Sequence, residues 1–192
     1  MKKAIMLTAT LGAGLLAFGS ASAGTASYAG DLSIDPDGTF QNPLSGTCAV
    51  CAYDVQEFTV DTDGLYTIDG FYPGDTNLDE NMDGYLILYS GAFDPLDAST
   101  GIIGSDDDGP GGSNTSQILD IALTAGTTYF LVTTAFDDAP TSFGQPTGPF
   151  ENTISGPGEI TLVGSPVPVP AAVWLMGSAL IGLGAARRRA VS

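Results

Sequence analysis

Four times in this chain aspartates crowd against a glycine: "DPDG" at 35–38, "DTDG" at 61–64, "DENMDG" at 79–84 and "DDDG" at 106–109. Calcium takes roughly six to eight hard oxygens on a backbone that turns sharply, and alternating Asp or Asn ahead of Gly supplies both. Asp79, Asn81 and Asp83 followed by Gly84 copy the first half of an EF-hand loop. The second half is absent: its last ligand position is Ser90 instead of a bidentate glutamate, and the segment runs into a strand pattern rather than a helix. The expectation is a calcium site carried on loops, using Asp79, Asn81, Asp83 and the run Asp106, Asp107, Asp108. The competing reading is that Asp-Gly pairs are good turn formers and nothing more. For "DPDG" and "DTDG" that second reading is the stronger.

The two cysteines, Cys48 and Cys51, form "CAVC". A zinc site would need two further soft ligands, and there is no histidine and no third cysteine to provide them. Thioredoxin-like work would need a helix N-terminus or basic neighbours to lower a thiol pKa, and the surroundings offer neither. A local disulfide that pins the loop ahead of the first long strand is the expected arrangement. Catalysis finds little support. Without His there is no Ser-His-Asp or Cys-His constellation, and between residues 24 and 165 there is no lysine to act as an amine base. Paired carboxylates could hydrolyse glycosides, but among 22 acidic residues a pair carries no information. No enzyme is expected.

Charge narrows the partners further. The formal net charge is −17, yet all five cations lie at the ends, Lys2 and Lys3 at one and Arg187, Arg188 and Arg189 at the other, while every carboxylate lies between. Such a surface repels phosphate backbones and anionic headgroups, which excludes nucleic acid. It attracts cations, and packing so many like charges together costs stability unless salt or metal offsets it. Adaptation to a saline habitat is the rival explanation for the acidity.

The elements that must position these residues read as strands. Gly, Pro, Asp, Asn and Ser punctuate the middle of the chain, and short β-rich runs at 55–60, 65–69, 85–90, 117–123, 128–135 and 159–163 lie between them. In "ILDIAL", Leu119, Ile121 and Leu123 alternate with Asp120, Ala122 and Thr124, which predicts one buried face. "YLILY" and "TYFLVTT" are apolar on both faces and are expected at the centre of a sheet. No window keeps a helical period. The predicted fold is all-β, an antiparallel, jelly-roll-like β-sandwich over 24–165, flanked by terminal segments 1–23 and 166–192.

Those terminal segments read as addresses. "MKKAIMLTATLGAGLLAFGSASAG" has Lys2 and Lys3, an apolar run, and small residues Ala21 and Ala23 around Ser22, the pattern of a secretory signal cut by signal peptidase after Ala23. At the other end the sixteen apolar residues 171–186 would rise about 24 Å as a helix, against about 30 Å of hydrocarbon. Trp174 sits near the outer edge, and the arginines behind the span would be held in the cytoplasm, leaving the acidic region outside.

Val167, Pro168, Val169 and Pro170, then Trp174 in an apolar span, then Arg187, Arg188 and Arg189, resemble the PEP-CTERM class of bacterial sorting signals, in particular its VPLPA variant. Val169 stands where the common form has Glu and the variant has Leu. The resemblance implies an inner-membrane intermediate, recognition by an exosortase-type transpeptidase of a Gram-negative envelope, and delivery to the cell surface or an exopolysaccharide matrix. The middle region, through "DGYLILYSGAFDP" and "LTAGTTYFLVTT", is similar to the bacterial pre-peptidase C-terminal type of β-sandwich, whose members are usually non-catalytic accessories. The expected function is therefore an exported, calcium-stabilised structural protein. The alternative is a glycan-binding module that uses Tyr28, Tyr72, Phe93, Phe136, Phe143 and Phe150, all in loop-like stretches, where such residues otherwise plug the ends of a core.

Overall fold

The computed structural model describes residues 23–73, 81–141 and 144–164. Ten strands run in chain order: β1 (Ala23–Asp31), β2 (Gly38–Phe40), β3 (Cys51–Val60), β4 (Gly64–Phe71), β5 (Gly84–Ser90), β6 (Ile102–Asp106), β7 (Thr115–Leu123), β8 (Thr128–Ala135), β9 (Pro149–Pro157) and β10 (Ile160–Leu162). No helix occurs among the described residues. The strands make two antiparallel sheets, ordered β1-β9-β4-β7 and β10-β3-β8-β5-β6, with β2 paired to β3 at its start.

The two sheets face each other across one core. Tyr66 and Ile68 of β4, Ile118 and Leu123 of β7 and Ile154 of β9 meet Phe58 and Val60 of β3, Leu86 and Leu88 of β5 and Tyr129 and Leu131 of β8. Each fully buried aliphatic side chain here contributes about 1.5 to 3 kcal/mol. The other face of the second sheet is buried as well: Tyr53, Ile87, Tyr89 and Val132 lie under Leu32, Phe40, Cys48, Phe93 and Ala98. Edge-on aromatic contacts bind that cover to the sheet, Phe40 to Tyr53 at 5.3 Å, Tyr53 to Phe93 at 5.2 Å and Phe40 to Phe93 at 5.8 Å. Covering on both faces explains why "YLILY" and "TYFLVTT" carry no polar side, and β5 and β8 are indeed neighbours inside the second sheet. On the two open sides, β6 runs beside β7 and β1 beside β10.

Two expectations need correction. Leu119 does not share the buried face with Ile121 and Leu123, because a bulge opens in β7: Tyr66 pairs with Ile121 and Ile68 with Ile118, leaving Leu119 and Asp120 opposite Thr67 alone. Asp120 takes φ 52°, the phase slips by one, and Leu119 is 63% exposed. The aromatic residues expected in loops are largely structural. Tyr28 lies on β1 and Phe150 on β9, Tyr72 and Phe150 are fully buried, and Tyr28, Phe93 and Phe136 pack against the core. Phe143 lies outside the described residues.

Candidate functional site: an acidic end of the second sheet

Antiparallel pairing brings distant parts of the chain to one place. Gly84 of β5 pairs with Ala135 of β8, and Leu86 of β5 pairs with Asp106 of β6. The start of β5 and the ends of β6 and β8 therefore lie side by side, and Asp83, Asp107, Asp108 and Asp137 follow or precede them directly. Backbone bonds fix the arrangement. Phe136 N donates to Asp83 O at 2.9 Å, and Ser116 Oγ lies 3.0 Å from Asp107 O and 3.2 Å from Gly84 O. Gly84 is required here, since a Cβ would fall 2.0 Å from the ring of Tyr72.

Residues 81–83, with a bend at Asn81, are anchored by a single β-bridge. Met82 bridges Gln145 in parallel, with Gln145 N donating to Asn81 O at 2.6 Å and Asp83 N to Gln145 O at 3.1 Å. The approach is so close that a Cβ on Gly144 would lie 2.6 Å from Asp83 N and 2.7 Å from Asn81 O. Met82 packs in the core at 1% exposure, flanked by Asn81 and Asp83. Both are buried, at 5% and 6% exposure. Burial pushes the Asp83 carboxyl up to about 6, and the carboxylates of Asp108, Asp137 and Asp107 add to the shift. Asp108 is raised too, first by burial and then by Asp107 and Asp106. The Oδ1 of Asn81 is buried with no hydrogen-bond partner, a situation that buried acceptors rarely tolerate.

The residues singled out from the sequence are thus divided. Asn81, Asp83, Asp107 and Asp108 come to one end of the sheet. Asp106, the last residue of β6, lies at the same end, its Oδ2 accepting from Gln117 N at 2.7 Å. Asp79 lies outside the described residues, as do Ala21 and the sorting residues Val167, Pro168, Val169, Pro170, Trp174, Arg187, Arg188 and Arg189. Among the described residues no three acidic, histidine or cysteine side chains form a ready-made ligand set. In the other Asp-Gly loops the carboxylates tie the loop to distant backbone: Asp37 accepts from Val55 N at 2.8 Å, Asp61 from Glu159 N at 2.7 Å and Asp63 from Ala125 N at 2.7 Å.

Asp137 was not foreseen, because only strand pairing brings it to Asp83. Asp54 was not foreseen either. It stands on the inward side of β3, in phase with Phe58 and Val60, and its Cα partner on β8 is Thr133. Burial, then Asp37 and Asp35, push its carboxyl up to about 6. Beside it a polar network crosses between the sheets: Asn152 Nδ2 donates to Thr133 Oγ1 at 2.7 Å and to Tyr28 OH at 3.0 Å, and Tyr72 OH meets Ser116 Oγ at 2.8 Å. Burial carries the Tyr28 and Tyr72 phenols well above their ordinary range. The period-2 pattern "AYDVQEFTV" held the sign for Asp54, an acid at an inward position; nothing local marked Asn152.

Cys48 and Cys51 are joined as a disulfide, both about 1% exposed, with Cα atoms 5.7 Å apart. They lie in the cover over the second sheet, and Cys51 Sγ is 3.4 Å from the carbonyl oxygen of Ala135. No protein-family model matches the chain, and a search of curated proteins finds no match to it.

Proposed function

We propose that this chain is an exported, non-catalytic structural component of a bacterial cell surface or extracellular matrix, built as a jelly-roll β-sandwich and stabilised by calcium. The strand order supports the architecture. With β2 and β10 set aside, the remaining eight strands, numbered along the chain, lie in the orders 1-8-3-6 and 2-7-4-5, the interleaving of a jelly roll. The observation that carries the functional reading is the charge: 22 carboxylates and no cationic side chain between residues 24 and 165, with part of that charge concentrated at one end of a sheet. Such a fold gains from the calcium of an extracellular medium.

Export accords with the buried disulfide, which persists in an oxidising compartment. Removal of 1–23 by signal peptidase would leave β1 intact except for Ala23. The C-terminal motif, in this reading, makes the chain an inner-membrane intermediate until an exosortase-type transpeptidase cuts it, and places the product on the surface or within exopolysaccharide. Sugar stacking on the aromatic residues expected from the sequence is not part of the proposal, since those among the described residues pack against the core.

Two measurements test it. Intact mass of the protein released by its producing cells is expected to start at Gly24 and to lack Arg187, Arg188 and Arg189; a released form that retains them would remove the sorting reading. Thermal unfolding of the full chain is expected to shift upward with calcium beyond the shift given by sodium at matched ionic strength. Equal shifts would reduce the acidity to generic screening.

A further inference from the structure

The geometry points to a binding platform on the outer face of the first sheet, where Phe71, Glu151, Asp69 and Gln117 would hold an extended polysaccharide that carries free amino groups. This goes beyond the function proposed above, and it uses an aromatic side chain outside the set that packs against the core.

The two sheets differ on their outer sides. The second is roofed by the segments that carry Phe40, Cys48, Phe93 and Ala98, whereas no outward side chain of the first is buried on any of its four strands. Strand register orders that open face into rows. One row carries Ala29, Glu151, Phe71 and Thr115 on β1, β9, β4 and β7, and the next carries Ser27, Thr153, Asp69 and Gln117. Phe71 is 45% exposed, with Glu151 and Thr115 as its direct cross-strand neighbours. The polar groups of the next row are already oriented. Gln117 Nε2 donates to Asp69 Oδ1 at 2.7 Å, and Ser27 Oγ and Thr153 Oγ1 share a hydrogen bond of 2.9 Å. From Leu65 to Phe71 the face runs about 20 Å along β4.

An exposed aromatic ring beside hydrogen-bonding side chains suits a sugar, which has an apolar C–H side to pack on the ring and hydroxyls at its rim. An open, flat sheet suits a long chain laid across it better than a small molecule that must be enclosed. Charge then selects among sugars. Glu151 and Asp69 lie in the rows that hold and adjoin Phe71, and residues 24–165 contain 22 carboxylates and no cationic side chain. Such a face repels an anionic polymer and attracts a chain of protonated amino sugars.

The test titrates the full-length chain with a glucosamine hexamer, an N-acetylglucosamine hexamer and a cellulose hexamer, at low and high salt, read by calorimetry. Wild type is expected to bind the glucosamine hexamer saturably, more weakly as salt rises, and in preference to the two neutral oligomers. Phe71→Ala should weaken that binding roughly tenfold. Glu151→Gln should weaken it too and flatten its salt dependence, and decides the matter if Phe71→Ala fails to fold. Leu96→Ser, at a 95% exposed position in the cover over the second sheet, should bind as wild type does. If Phe71→Ala and Glu151→Gln both keep the wild-type affinity, the attraction is that of any polyanion for a polycation and the platform falls. Equal binding of the neutral hexamers would overturn the assignment to amino sugars, and no saturable binding would overturn the whole inference.

Discussion

Acidification of this protein in the presence of chelator should stabilise it, and Asp54 is the residue through which the effect can be isolated. Its carboxyl lies at about 6 in the fold against 3.8 for a free aspartate, through burial first and then the charges of Asp37 and Asp35. The groups around it are Tyr28 on β1 and Thr133 on β8, with those two aspartates from the loop ahead of β2; no cation faces it. Because the folded state holds the proton more tightly than the unfolded state, the stability present at low pH is lost as pH rises from about 4 through 6. A shift of about two units corresponds to roughly 3 kcal/mol at most, and partial solvent screening brings this to about 1 to 2 kcal/mol. Asp83, also raised to about 6, adds in the same direction. The assay is urea unfolding at pH 7.5, 6 and 4.5 with EDTA. Asp54→Asn should be more stable than wild type by about 1 to 2 kcal/mol at pH 7.5 and nearly equal to it at pH 4.5. A variant no more stable at pH 7.5, or a difference that does not change with pH, would refute the reasoning.

Three further outcomes follow from the packing. Gly84→Ala drives a methyl into the ring of Tyr72, whose Cζ lies 2.0 Å from the added Cβ, and should cost about 3 kcal/mol in urea unfolding. Reduction of Cys48–Cys51, which closes a loop of sequence separation 3, should cost about 2 kcal/mol by loop entropy and quicken hydrogen exchange in the cover over Tyr53 and Tyr89, with the sheets themselves retained. Leu119→Asp should change stability by less than about 0.5 kcal/mol at its exposed bulge, whereas Ile118→Asp, one residue earlier and 5% exposed, should prevent folding as judged by circular dichroism.

All six strands expected from the sequence form, each on a run rich in β-branched, aromatic or other apolar residues. β1, β2, β6 and β9 escaped. "AGTASYAGD" and "PFENTISGP" are rich in Gly, Pro and small residues that read as turns. They are strands because β9 pairs with β1 on one side and β4 on the other, a gain that no local window contains. "IIGSD" of β6 and "GTF" of β2 are too short to carry a period. The same division holds at the site. Asn81, Asp83, Asp106, Asp107 and Asp108 are legible as loop chemistry, while the approach of Asp137 to Asp83 depends on strand register. The slip at Leu119 belongs with these: a bulge is invisible to a period until the partner strand is known.

The lateral strands bear on how such a protein could assemble. Free sheet edges usually invite pairing between copies, but here β7 lies against β6 and β10 against β1. The acidic region also repels a second copy of itself at low ionic strength, with 22 carboxylates and no cationic side chain between residues 24 and 165. On the proposed reading, association between copies requires cations to lower this repulsion. Calcium then has two separate effects, one saturable on the stability of the fold and one that grows with ionic strength across the whole surface. Light scattering against calcium and sodium separates them: the unfolding temperature should level off with calcium, while the repulsion between molecules should continue to fall with either salt.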